Sequence, residues 1–487
     1  MFWGAWCDNI LSFSSDNERD EYKVKNFLTK AQKVVKERKL LFIIGLACMA
    51  LVIAFFVLRA RLGGPRPDPI TLTYANWNLG VNWNDPLELR MLQSFMDEHP
   101  HITVEIDTSI ASPWMDSISA AAYENRLPDV FIVDDLGTKA DNGWLLDLTT
   151  QAWADTDFFD LPNLIQGGAM VGGRVYALPF TQDIQGYFVN RDLFRELGQE
   201  PPSFGISAPD FIAAARNATD LSHPSIGINH SFSFVDWYPG AVNPLLGFFA
   251  FNGISFALNS PEMLGAVRLA AEVHNNGYTF NSIPQNMVAG YFPIGYDLGA
   301  FRYGQMAMYY GGTSWLMNIM ANEVPFEWDF IGVPGGRSVV TLEIIGISSH
   351  TDYPEEAYML ASWMGHGTEG NLRRLQYAQE MGITITYMPA SQNRQVLDAL
   401  FQMIPAPGLA SAYGAMDMVL LDGMRVLPGY MQARHSAPTG VAIPGHHTNA
   451  GVEHLIIHSI LGDMYFPSHS AVAEEVARQA LEAAQGR

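Results

Sequence analysis

The 487-residue chain has only two cysteines, Cys7 and Cys48, both near its N-terminus. Everything after Ile70 is therefore without a disulfide or a cysteine metal site. Lysine is almost as scarce there, with Lys139 the single example. Of the 28 Lys/Arg and 50 Asp/Glu in the chain, residues 1–69 hold eleven and seven. The part from Ile70 onward thus sets 17 cations against 43 anions, a net charge of −26. Such a surface repels nucleic acid and anionic polymers and suits a neutral ligand. Also missing are a nucleophile elbow, a phosphate loop and an aspartate-rich calcium loop. Asp134-Asp135 and Glu355-Glu356 are adjacent pairs whose side chains diverge on a strand or helix, so neither makes an acid–base dyad. No catalytic residue, cofactor or metal is expected.

One long apolar run is present. Leu40 to Leu58 is nineteen residues without a charge, just enough to span the hydrocarbon as a helix. Seven Lys/Arg between Lys23 and Lys39 precede it, and only Arg59, Arg61 and Arg66 follow. The positive-inside rule puts the N-terminus in the cytoplasm. The expected layout is a cytoplasmic tail at 1–39, a transmembrane helix at 40–59 and a Gly/Pro-rich linker at 60–69, with the rest outside. A tail running from Met1 to Lys39 is too long for a cleaved signal peptide. Cys48 follows a poor lipobox, Gly-Leu-Ala, yet its lipidation remains the alternative to an uncleaved anchor. Tyr22 to Lys39 spaces its apolar residues as a basic amphipathic helix does, suited to an anionic inner leaflet.

The length suggests two or three lobes. Ile70 to Tyr74 alternates as a strand. Asn84-Asp85-Pro86 opens a helix with a capping side chain and an early proline. Ile102 to Asp107 is a strand, Met115 to Asn125 a helix, and Val130 to Val133 a buried strand. This β-α-β-α-β order implies a parallel sheet, with ligands at the strands' carboxyl ends. Asn76, Trp77 and Asn78 follow the first strand, and Asp134 and Asp135 the third. Further on, an apolar run ends in Pro179, where a strand is expected to stop for want of an N–H, and a new strand begins before Asp192 opens a helix.

That stretch is the most telling of the chain. Gly173-Arg-Val-Tyr-Ala-Leu-Pro-Phe180, Tyr187-Phe-Val-Asn-Arg-Asp-Leu-Phe194, Gly198 and Pro201-Pro202 resemble the mid-chain signature of the extracellular solute-binding proteins of ABC sugar importers, the maltose- and glycerol-phosphate-binding type. Leu127-Pro-Asp-Val with Gly143-Trp-Leu-Leu-Asp-Leu, Phe301 to Trp315, Trp328 to Gly336, Ile344 to Ser348 with Trp363, and Gly382 to Pro389 resemble that family in order and spacing, while the last hundred residues match loosely. The resemblance implies an α/β, two-lobed periplasmic-binding-protein-like (type II) fold with three interlobe crossings. Its N-lobe would hold 70–183 and 334–386, its C-lobe 184–333 and 387–487. It also implies a monomer that closes on a sugar or oligosaccharide and hands it to ABC permease subunits, ATP hydrolysis belonging to a partner.

Sugar recognition needs flat aromatic faces and planar polar groups. The candidates are Asn76, Trp77, Trp83, Asp134, Gln182, Asp183, Trp237, Tyr309, Trp315 and Glu343. Glu343 interrupts the apolar run Val339 to Ile347, where an unpaired carboxylate is costly; it either faces ligand or pairs with a buried arginine. Trp144 and Trp363 read as core. Late histidines cluster at His435, His446, His447, His454 and His458. His454 and His458 share a helix face, but Glu453 lies outside the pair, unlike His-Glu-x-x-His, so an ordinary helix face is preferred over zinc. Two rival functions remain: a sensing ectodomain, against which the short tail without a kinase-like motif speaks, and a membrane-tethered glycan hydrolase or lyase, which needs a carboxylate pair across a cleft.

Overall fold

The computed structural model describes residues 25–26, 29–30, 33, 68–80, 84–292, 295–425 and 427–485. The apolar run Leu40 to Leu58, both cysteines, most of the linker and Trp83 lie outside these residues. Among the described residues no helix is long and apolar enough to cross a membrane. The five described residues between Tyr22 and Lys39 are helical and exposed. The chain divides into a unit ending at Asp68 and a larger unit, Pro69–Arg487.

The larger unit begins as its sequence predicts. Strand β1 (Ile70–Ala75) pairs in parallel with β2 (Ile102–Ile106) and β3 (Val130–Val133). Between β1 and β2 lies helix Pro86–Glu98, started by Asp85, whose carboxylate accepts from the N–H groups of Leu87 (2.8 Å) and Glu88 (3.3 Å). That satisfies two orphan donors of the first turn, with Pro86 needing none. Leu87, Met91, Leu92 and Phe95 form its buried face, and the Phe95 ring lies 6.2 Å from that of Trp363.

A hairpin of β4 (Met170–Val171) and β5 (Arg174–Val175) leads into β6 (Ala177–Asn190), fourteen residues long. The strand does not stop at Pro179. On the partner strand β10 (Val339–Ile347), Glu343 lies opposite Thr181 and Ile344 opposite Pro179, so Phe180 is an extra residue. A bulge is where a sheet tolerates proline, and it keeps one strand running where two are expected. The first half of β6 pairs with β10, and its second half with β8 (Met306–Gly312) and β9 (Trp328–Phe330). Both β6 and β10 thus belong to one continuous sheet ordered β2-β1-β3-β10-β6-β8-β7, with β7 at Ile226–Ile228 and β11 (Leu420–Asp422) added beside β10.

The buried apolar residues form two clusters, and strands of this sheet contribute to both. One gathers Tyr74, Phe95, Phe131, Leu178, Ile344 and Trp363. The other gathers Tyr187, Phe211, Trp237, Phe249, Leu455 and Phe466. The last hundred residues supply helices to both: Arg394–Met403 buries Val396 and Leu400 in the first, while Val452–Ile460 and Ser470–Ala484 close the second.

Candidate ligand-binding site

A cleft opens at the β6 bulge. Its lining comes from the loop after β1 (Trp77, Asn78), the start of helix Pro86–Glu98 (Asp85, Leu87, Glu88), the bulge (Phe180, Thr181), Glu343 on β10, Arg374 of helix Thr368–Met381, and Ile383 to Tyr387. Gly382 ends that helix with φ +66°, the left-handed turn that glycine adopts without penalty, and so sends Ile383 to Tyr387 along the rim. In this conformation the cavity holds about 50 Å³.

The floor is closed by structure. The Arg374 guanidinium pairs with the Glu88 carboxylate and donates to the Met364 carbonyl at 3.0 Å, all of it buried. The centre is different. Glu343 is 8% exposed. Its Oε1 lies 3.4 Å from Arg425 Nη2, and its buried Oε2 has no protein partner among the described residues. Burial pushes the Glu343 carboxyl up; Arg425 pulls it down, and the charge of Asp183 adds to the push. Arg425 in turn lies 4.9 Å from the Trp77 ring centroid. Trp77 packs edge-on against Trp114 at 5.5 Å, and Trp114 is fixed by its indole N–H donating to the Ile132 carbonyl at 3.1 Å. Arginine over indole is a cation–π arrangement, strongest where water is thin. Tyr387 completes the group: burial raises its phenol, and Glu343 and Asp183 raise it further.

Asp183 borders this centre but has work of its own. Its Oδ1 accepts from the Ser314 N–H at 2.7 Å and the Thr313 hydroxyl at 3.2 Å, capping helix Thr313–Asn322. Burial raises its carboxyl, and these donors oppose the rise. A Cβ at Gly312 would collide with that carboxylate, which explains the glycine.

Of the ten expected residues, Trp77 and Glu343 line the cleft and Asp183 adjoins it. Glu343 pairs with Arg425 and also lines the cavity. Four are corrected. Asn76 is buried, its amide donating to Tyr74 Oη and its carbonyl accepting from the Asn78 N–H, both at 2.9 Å. It closes a turn and does not reach the cleft. Asp134 forms an ion pair with Lys139 at 2.5 Å, both side chains 3% exposed, so the lone lysine serves to neutralise it. Gln182 is fully buried and donates to the Pro389 carbonyl at 2.9 Å, tying β6 to the segment after the rim. Trp237 is fully buried among Phe211, Phe234 and Tyr238. Tyr309 and Trp315 stand together outside this cleft. Tyr309 is buried, its hydroxyl 3.4 Å from Asp297, and the Trp315 ring, 44% exposed, lies 5.8 Å from it.

Sequence reasoning missed Arg425, Tyr387 and the Arg374–Glu88 pair. Tyr387 was legible as a tyrosine between threonine and methionine in a crossing segment. The two arginines carried no local signal.

Known proteins share this architecture. The melibiose/raffinose/stachyose-binding protein MelE of Bacillus subtilis is 29% identical over 164 residues, which is 32% of this chain and 36% of that protein. The chain thus matches about a third of that relative's length. An ABC substrate-binding protein from Listeria monocytogenes, solved with cycloalternan, superposes with a TM-score of 0.61 at 20% identity, over 86% of this chain and all of that one. A sugar transporter from Rhizobium etli in an open conformation gives 0.62 at 16% identity, over 85% and 99%. The fold is therefore the α/β, two-lobed, periplasmic-binding-protein-like fold. The profile of the family described as bacterial extracellular solute-binding protein matches residues 90–400, and this chain belongs to that family.

Proposed function

We propose that this chain is the extracytoplasmic solute-binding component of an ABC importer, held to the membrane by residues 40–59, and that it closes two lobes, 70–183 with 334–386 and 184–333 with 387–487, on a neutral carbohydrate. The observation that carries the reading is the Trp77–Arg425–Glu343 group. It offers an aromatic face, a cation on that face and a buried carboxylate whose second oxygen is unpaired. Hydroxyl groups of a sugar are suited to satisfy such an oxygen, and C–H patches to cover such a ring. The family, the relative named for melibiose, raffinose and stachyose, and the neighbour solved with cycloalternan support it.

A cavity of about 50 Å³ is far below the ~300–1,000 Å³ of typical ligand pockets. Entry of a sugar requires the cleft to open, and ligand contacts to both sides then favour closure. Asp183 and Glu343 do not read as a catalytic dyad, because one caps a helix and the other is bound to Arg425. The purified chain, screened by thermal shift against neutral oligosaccharides and uronic acids, is expected to be stabilised by a neutral sugar and not by the acids. Stabilisation by uronic acids alone, or turnover of the bound glycan, would contradict the reading. The operon distinguishes delivery to a permease from signalling: permease genes beside this one support import, a histidine kinase gene sensing.

A further inference from the structure

The late histidines pair differently from their sequence spacing. His454 and His458 share helix Val452–Ile460, but the His458 ring lies 4.4 Å from that of His446, and the His454 ring 4.1 Å from that of His447. His446 comes from the loop before the helix and Asp463 from the turn after it. His458 Nδ1 is 2.7 Å from Asp463 Oδ2, and His446 Nε2 is 3.7 Å from the same oxygen. One ligand atom from each of the three lies within 4.8 Å of the other two. Two glycines aim them: Gly445 (φ +80°) precedes His446 and Gly462 (φ +90°) precedes Asp463, positions that residues with a Cβ rarely hold.

We propose that His446, His458 and Asp463 form a binding site for a divalent transition-metal ion of the Zn²⁺ class. Two imidazoles and one carboxylate suit Zn²⁺, Cu²⁺ or Ni²⁺, whereas Ca²⁺ and Mg²⁺ seek oxygen ligands. Bonds of about 2.0–2.1 Å to a tetrahedral ion set ligand atoms roughly 3.3 Å apart, and the separations of 2.7 and 3.7 Å straddle that value. His446 and Asp463 have side chains 47% and 39% exposed, so the ion can arrive from solvent and keep water on its open side. The metal would staple the loop around Ile443 and Ala450 to the helix carrying Leu455 and Ile456, residues of the apolar cluster that holds Trp237. That cluster does not include Trp77.

The test uses the full chain without a histidine tag, stripped with chelator and titrated with Zn²⁺ by calorimetry and thermal melting. One saturable event with a raised melting temperature is expected, and none with Mg²⁺ or Ca²⁺. His446→Ala and Asp463→Ala should each weaken Zn²⁺ binding at least about 10- to 100-fold, the range lost when even an outer partner of a ligand is removed. His454→Ala, outside the trio, should leave binding within about threefold. His446 lies in an exposed loop, so its variant folds and reads out even if Asp463→Ala does not. No saturable Zn²⁺ binding, or equal binding in wild type and His446→Ala, or an equal loss in His454→Ala, would overturn the proposal.

Discussion

Two arginines nine positions apart show how one chemistry serves two ends. Arg425 lies over the Trp77 ring and pairs with Glu343. Arg434 lies over the rings of Phe248 and Phe249, at 4.6 and 4.8 Å, and pairs with Asp236 at 2.7 Å, with Asp422 at 3.9 Å. Both are guanidinium–aromatic–carboxylate groups. The Arg434 set is enclosed, its arginine side chain 11% exposed and packed within the second apolar cluster. The Arg425 set borders a cavity, with its arginine 25% exposed and one carboxylate oxygen free. Each set leaves a buried atom without a partner among the described residues, Arg434 Nε in one and Glu343 Oε2 in the other. What separates them is access: the Arg425 set lies beside a cavity, and the Arg434 set is closed off by packing.

The largest effect is expected at the enclosed set. Arg434→Ala leaves two buried carboxylates without their cation, and is expected to cost about 3–5 kcal/mol of stability, read as a lower denaturant midpoint. If the variant is as stable as wild type, the enclosed set is not structural. Burial raises the Asp236 carboxyl to about 6 from 3.8, against the pull of Arg434. A raised folded-state value means that the folded chain binds the extra proton between those two pH values. Stability from this group therefore falls as pH rises from about 4 to about 6. Asp236→Asn should flatten that part of the stability–pH profile, and an unchanged slope would assign it to other groups.

At the open set the expected effects move to affinity. Glu343→Gln removes a charged acceptor, and a hydrogen bond to a charged group is worth about 1.5–3 kcal/mol, so sugar affinity should drop roughly 10- to 150-fold while the melting temperature changes little. A large loss of stability with intact affinity would return Glu343 to the structural class. The smallest effect is expected at Trp315. It is 44% exposed and outside the cleft, so Trp315→Ala should alter stability by no more than about 0.5 kcal/mol and leave sugar affinity unchanged. A loss of affinity there would extend the site to the Tyr309 side.

Much of the fold was written locally. Asp85-Pro86 starts a helix by its own side chain and ring, and Ile70 to Val133 carries its β-α-β-α-β order in its periodicity. Pro179 misled because proline ends a ladder locally, while the bulge that accommodates it depends on Glu343 and Ile344 of β10, far along the chain. The site divides the same way. Glu343 was legible because a carboxylate in an apolar strand must be paired or used. Asn76 and Gln182 have the right chemistry, yet Asn76 is bonded to Tyr74 and Asn78 and the Gln182 amide N–H to the Pro389 carbonyl, and neither lines the cavity. Trp77 lies between asparagines and Trp237 between an aspartate and a tyrosine. Polar neighbours in sequence do not separate cleft from core: Trp237 is enclosed by Phe234 and Tyr238 on its own helix together with the more distant Phe211, whereas Trp77 packs edge-on against Trp114 and lines the cleft. Arg425 was illegible because its two partners, Trp77 and Glu343, are both remote in sequence.

Calorimetric titration of wild type and Trp77→Ala, with the sugar found by screening, decides whether the Trp77–Arg425–Glu343 group holds the ligand. Wild type should bind one equivalent. By analogy with base stacking, loss of the indole face should weaken binding by about 1–3 kcal/mol, roughly 5- to 150-fold, without lowering the melting temperature. Equal affinity in the two proteins, or a loss of fold in place of affinity, would take the ligand away from this group.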